Sequence, residues 1–171
     1  MEDKVINQII GNFFPPTWRE ILFACALAAA SICISFRKKE WGTLRQIIFP
    51  FLTLYICCVL GITLLYRLPF DSAHYNYELF WSYKGAKYSE TLLREIVLNY
   101  LLLLPYGAIL PLYWKRRWTV LSGALFSFAI ELAQFFMRRG LFEFDDIIGN
   151  TVGVILGVGL FSLLKRLKRA K

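Results

Sequence analysis

Histidine occurs once in the 171 residues, and no nucleophile–base pair is evident, so His74 is given no catalytic role. The four cysteines, Cys25, Cys33, Cys57 and Cys58, show no CxxC spacing and no neighbouring histidine. That excludes a cysteine–histidine metal set and a structural disulfide framework, and the four read as small packing residues. The N-terminus lacks a basic stretch ahead of a short apolar core, so no cleavable signal peptide is expected. Internal repeats and low-complexity linkers are also missing, which points to one transmembrane domain. Acidic residues are scarce, 12 against 20 Lys+Arg, leaving a formal net charge of +8.

What is abundant is apolar surface. The chain is 57% hydrophobic and 17% aromatic, with a mean hydropathy of +0.50. Soluble domains are about 45–50% apolar. A chain this short cannot hide such an excess in a water-soluble core, and it is far too apolar to be disordered. A bilayer crossing needs about 20 mostly apolar residues, and five stretches qualify: 18–36, 47–66, 96–113, 118–136 and 147–164. The third contains Pro105 and Pro111, which membrane helices tolerate. The fold class expected is therefore all-α, a polytopic bundle of five transmembrane helices.

The cations orient it. Arg37, Lys38, Lys39 and Arg45, then Lys115, Arg116 and Arg117, then Lys165, Arg166, Lys168, Arg169 and Lys171 fall on one side, in short segments. The other cations, among them Lys84, Lys87 and Arg94, are spread over longer stretches. The positive-inside rule then places the N-terminus outside and the C-terminus in the cytoplasm. Trp18, Trp41, Trp81, Trp114 and Trp118 lie at or beyond span ends, as an interfacial belt requires. These cations border spans, so a nucleic-acid partner is not expected. Segment 5–14 sorts Val5, Ile6, Ile9, Ile10, Phe13 and Phe14 onto one helical face, either an interfacial helix or an apolar leader. The expected layout is an interfacial segment 1–17, a transmembrane domain 18–164 with an outer loop 67–94, and a basic tail 165–171.

Ionisable residues inside spans are costly and usually face protein or a watery cavity. Here they gather. Arg94 and Asn99 open the third span, Glu131, Gln134, Arg138 and Arg139 close the fourth, and Asp145, Asp146 and Asn150 open the fifth. At 1.5 Å per residue, Asn99, Glu131 and Asn150 lie about 6–10 Å inside the outer boundary. Glu131, Gln134 and Arg138 share one helical face. Asp145 and Asp146 also suit the N-terminus of their own helix as caps. Two readings stand: a network that ties three helices together, or an outward-facing polar pocket for a head group. Gly149, Gly153 and Gly157 form a small-residue ridge for close packing, within the bundle or against a second copy as a homodimer. The outer loop carries Phe70, Tyr75, Tyr77, Phe80, Trp81, Tyr83 and Tyr88, and reads as a lid or re-entrant segment.

One run of residues is more specific. Arg94-Glu95-Ile96-Val97-Leu98-Asn99, Pro105-Tyr106-Gly107, Glu131-Leu132-Ala133-Gln134, Arg139-Gly140, Phe142-Glu143-Phe144-Asp145-Asp146 and Asn150-Thr151-Val152-Gly153 follow in order. With Leu68-Pro69-Phe70 before them, they resemble the VanZ-like family over roughly residues 60–160. The resemblance implies a small multi-pass protein of the bacterial cytoplasmic membrane and a link to resistance against the glycopeptide teicoplanin. Its pattern positions here are Asn99, Glu131, Gln134, Asp145, Asp146 and Asn150.

Three functions compete on this basis. The first is a non-enzymatic protein that binds a membrane lipid or lipid-linked cell-wall precursor head group and alters glycopeptide access. The second is a metal-dependent enzyme acting on a lipid phosphate, since paired carboxylates suit Mg²⁺. The third is a lipid transporter or flippase, although no inverted repeat is evident. The first is preferred, with no cofactor and no metal assigned.

Overall fold

Among the described residues five helices are long and apolar enough to cross a membrane, and 79% of those residues are helical. The chain is an all-α, multi-pass membrane protein. The computed structural model describes residues 17–65, 67 and 69–170. The amphipathic segment 5–14 therefore lies outside the described residues. The chain divides into two compact units, Met1–His74 with Ala133–Leu141, and Tyr75–Leu132 with Phe142–Lys171.

In the first unit, helix α1 (Trp18–Arg37) begins at a reciprocal cap between Thr17 and Glu20. Ser31 and Ser35 are buried, and each hydroxyl returns to its own helix, donating to Ala28 O at 2.7 Å and Ile32 O at 2.8 Å. Small residues that satisfy their own hydroxyls let a second helix approach closely, and α2 (Thr43–Leu60) packs there. A π-helical turn, Gly61–Leu65, continues α2 and leaves its carbonyls in need of donors.

The second unit contains residues 75–76 of strand β1 (His74–Asn76) and 142–143 of its partner strand β2 (Leu141–Glu143). It also holds the short helix α3 (Trp81–Ala86), helix α4 (Glu90–Ile109), α5 (Arg116–Met137) as far as Leu132, and α6 (Phe144–Arg169). Helix α4 lies along α6 because glycines remove the side chains between them. A Cβ at Gly153 would meet Tyr100 O, and one at Gly157 would meet Leu104 O. Gly149 lies against Asn99, where an added Cβ would be 3.3 Å from Asn99 Cβ. Gly107 on α4 makes the reciprocal approach to Val154 O. The ridge is thus occupied by a helix of the same chain.

Helix surfaces carry apolar residues outward and polar residues inward, the arrangement a lipid solvent favours. Leu98 is 62% exposed, whereas Glu131 is 1% and Asn150 2% exposed. Three boundaries differ by four residues or more from the sequence expectation, the first being α2, which starts at Thr43 instead of 47. Helix α4 starts at Glu90 instead of 96, because the Ser89 hydroxyl accepts from Leu92 N–H and caps it. The outer loop is correspondingly shorter and contains β1 and α3. Helix α6 runs through Arg169, so most of the basic tail is its last turn, where cations oppose the helix dipole.

Candidate functional site

Asp145 organises the polar end of the second unit. Its sequence position makes it a cap for its own helix, α6, but the structure uses it to cap α3. Phe80 N–H donates to Asp145 Oδ1 at 2.6 Å. Ser82 N–H and Ser82 Oγ donate to Asp145 Oδ2 at 3.0 and 2.6 Å. Phe80 adopts a left-handed backbone, φ 62°, which costs an L-residue with a bulky side chain about 1–2 kcal/mol. The charge-assisted bonds to Asp145 offset that cost and fix the former loop against the helix ends.

Around this point the helices exchange further bonds. Asn99 Nδ2 donates to Asp146 Oδ1 at 2.6 Å, linking α4 to α6. Glu143 N–H donates to Glu131 Oε2 at 3.2 Å, and Asn150 Nδ2 donates to Ser127 Oγ at 3.0 Å, linking α5 to β2 and α6. Tyr100 OH donates to Tyr83 OH at 3.1 Å. Between them lies a small open cavity of about 240 Å³ including its mouth, lined by Ser82, Tyr83, Glu95, Ile96, Asn99, Glu143, Asp145, Asp146 and Gly149. Among the described residues none of these lining side chains is basic.

Glu143 is the unusual member. It is 8% exposed, and its carboxyl takes a loose hydrogen bond from the buried Trp81 indole N–H, neither group having a closer partner in the protein. Burial, together with the charges of Asp146, Glu95 and Asp145, pushes the Glu143 carboxyl up to about 8, against a smaller opposing effect of Trp81. Burial and the hydroxyl of Tyr100 raise the Tyr83 phenol as well, so it keeps its proton. No group of three His, Cys, Asp or Glu is placed to hold a metal ion among the described residues.

In the first unit the remaining candidates do something else. Gln134 Nε2 donates to Thr63 O at 3.2 Å. Arg139 Nη1 donates to Leu65 O at 2.7 Å and Leu64 O at 3.2 Å. Both side chains thereby satisfy carbonyls of the π-helical turn. Arg138 Nη1 donates to Asp71 O at 3.2 Å. The backbone reaches this arrangement through a Schellman end to α5: Arg138 N–H donates to Phe135 O, Arg139 N–H donates to Gln134 O, and Arg138 is left-handed at φ 54°. Gly140 leaves room for the Gln134 amide, which an added Cβ would meet at 2.8 Å.

The structure thus gathers Asn99, Asp145 and Asp146 at the cavity, with Glu131 and Asn150 bonded close behind within the same unit. Gln134, Arg138 and Arg139 belong to a carbonyl-binding cluster in the first unit. Arg94 is exposed and pairs with Glu90 at 3.8 Å, one turn away along α4, and does not line the cavity. His74 is exposed, its Nδ1 2.9 Å from Ser72 O. Ser82, Tyr83, Glu95 and Glu143 line the cavity but were not selected from sequence. Glu95 stands four residues before Asn99 on α4, a spacing that puts both on one helical face, whereas Glu143 ends strand β2 with an extended backbone and no helical spacing announces it.

No curated protein and no solved structure matches the chain. A family model described as VanZ/LLP1 matches residues 49–165, which include both polar clusters. The chain belongs to the VanZ/LLP1 family.

Proposed function

We propose that this membrane protein binds the polar head group of a lipid or lipid-linked cell-wall precursor at the cavity between α3, α4 and α6, without turning it over. It lies in the bacterial cytoplasmic membrane with the N-terminus outside, so the cavity opens in the outer leaflet. Occupying that head group changes how a glycopeptide such as teicoplanin reaches the cell surface. The observation that carries the reading is the cavity itself, whose wall brings Asn99, Asp145 and Asp146 from two helices together with the buried Glu143. The acid lining disfavours direct phosphate binding and so weighs against the lipid-phosphate enzyme.

The test is susceptibility. Cells expressing the chain are expected to tolerate more teicoplanin than cells without it. Asn99→Ala and Asp146→Asn, expressed at the level of the unaltered chain, should remove the difference. Unchanged tolerance in both variants would reject the site.

A further inference from the structure

The second unit keeps its acids at one end. The stretches 96–130 and 147–171 contain no Asp or Glu, so every acid of the unit belongs to the cavity end. The opposite end holds three cations at 115–117, where α5 begins, and Lys165, Arg166, Lys168 and Arg169, where α6 finishes. All seven are exposed, and among the described residues none of them forms an ion pair. Two lie over aromatic rings instead, Arg117 over Trp118 at 5.5 Å and Lys165 over Phe161 at 6.0 Å.

The end of α6 also stands beyond its neighbours. Gly123 on α5 lies against Val154, and Gly157 lies against Leu104 on α4. From the level of Val154, α5 reaches about 10 Å to its start at Arg116, whereas α6 runs about 22 Å on to Arg169. Helix α4 and the turn after it end at Leu112, eight residues past Leu104, while α6 continues twelve past Gly157. Leu160, Leu163, Leu164 and Leu167 fall at i, i+3, i+4 and i+7 on this free end and are 42–57% exposed. The stripe continues from Leu156, itself 51% exposed on the lipid-facing side. Arg166 stands three residues after Leu163 and Lys168 four after Leu164, so the two cations border the stripe where it ends.

We propose that the free end of α6 binds an anionic phospholipid, with the acyl and glycerol portions along the leucine stripe and the phosphate between Arg166 and Lys168. Charge complementarity selects this occupant, since cations gathered at a span end without a single acid attract negative head groups. Arginine offers a phosphate a two-pronged fork, and lysine adds a point charge. Orientation of the spans requires only cations near their ends. The helix dipole favours cations in the last turn but gives no reason for exposed leucines beside them. Here a rigid helix holds both at fixed spacing, apolar face inward to the bilayer and charge at the head-group level. The site lies at the far end of the unit from the cavity and does not depend on what the cavity binds.

The experiment equilibrates the purified full chain with equal amounts of phosphatidylglycerol and phosphatidylethanolamine and counts the retained lipids by native mass spectrometry. Both lipids carry a phosphate, but only phosphatidylglycerol has a net negative charge at neutral pH. Retention of phosphatidylglycerol over phosphatidylethanolamine by roughly tenfold is expected, and it should shrink as salt is raised during equilibration. Arg166→Gln with Lys168→Gln, both exposed, should fold and lose most of the preference. Leu163→Asn with Leu167→Asn keeps every cation and should still lower phosphatidylglycerol retention several-fold. Arg37→Gln with Lys39→Gln, exposed cations of the first unit, should leave the preference unchanged. Equal retention of the two lipids overturns the proposal, as does a preference that the Arg166/Lys168 variant keeps or that the Arg37/Lys39 variant loses equally. A dimer mass that the leucine variant disperses would assign the stripe to a second copy of the chain and overturn it as well.

Discussion

Two polar clusters at span ends, similar in sequence, have opposite chemistry in the structure. In the first unit, Gln134, Arg138 and Arg139 give their donors to backbone carbonyls of Thr63, Leu64, Leu65 and Asp71. Donors and acceptors there are matched, and the cluster closes a helix end that would otherwise be orphaned in an apolar setting. In the second unit, acids crowd a cavity, the Glu143 carboxyl has only a loose hydrogen bond from the Trp81 indole, and burial among those acids displaces it to about 8. Matched polar groups in a membrane protein support the fold. Like charges crowded together disfavour their own ionised forms.

The contrast can be broken most forcefully through pH. Glu143 has a folded-state value raised above its ordinary 4.5 to about 8, so between those values the folded chain binds a proton that the unfolded chain has released. Stability of the unliganded protein should therefore fall as pH rises from about 5 to 8, at up to about 1.4 kcal/mol per unit, and flatten above. Thermal unfolding in detergent across this range checks it, and Glu143→Gln should flatten the profile and be the more stable form at pH 8. A profile that keeps its slope in Glu143→Gln would place the titrating group elsewhere.

The next effect belongs to the supporting wall. Asp145→Ala strands three donors on Phe80 and Ser82, two of them backbone, and should cost about 3 kcal/mol. Limited proteolysis should then cut within 77–90 well before global unfolding. The smallest effect belongs to the matched cluster. Gln134→Ala removes one buried donor from Thr63 O and should cost about 1–2 kcal/mol, with no change in the pH profile. A changed pH profile on that substitution would erase the distinction between the clusters.

Much of this was legible beforehand. The five spans follow from apolar runs, and the small ridge at Gly149, Gly153 and Gly157 from its four-residue spacing. Asn99, Asp145 and Asp146 were marked by depth and family pattern, and all three reach the cavity. The division between clusters was not legible. Helical periodicity puts Glu131, Gln134 and Arg138 on one stripe, but the left-handed turn at Arg138 ends the helix, and the π-helical turn supplies carbonyls that no local pattern announces. Asp145 was misread for a similar reason, since a carboxylate at the start of a helix looks like its own cap. Its partners Phe80 and Ser82 are more than sixty residues away.

Alone, the sequence determined that this chain has five spans long and apolar enough to cross a membrane. Those properties depend on composition and local period, which act within about 20 neighbouring residues. Only the tertiary structure decided which polar residues are satisfied and which are left facing a cavity. Satisfaction is a pairwise matter of distance and direction between groups far apart in the chain. The charge state of Glu143, set by Asp145, Asp146, Glu95 and Trp81 from three other elements, is therefore written in no local pattern.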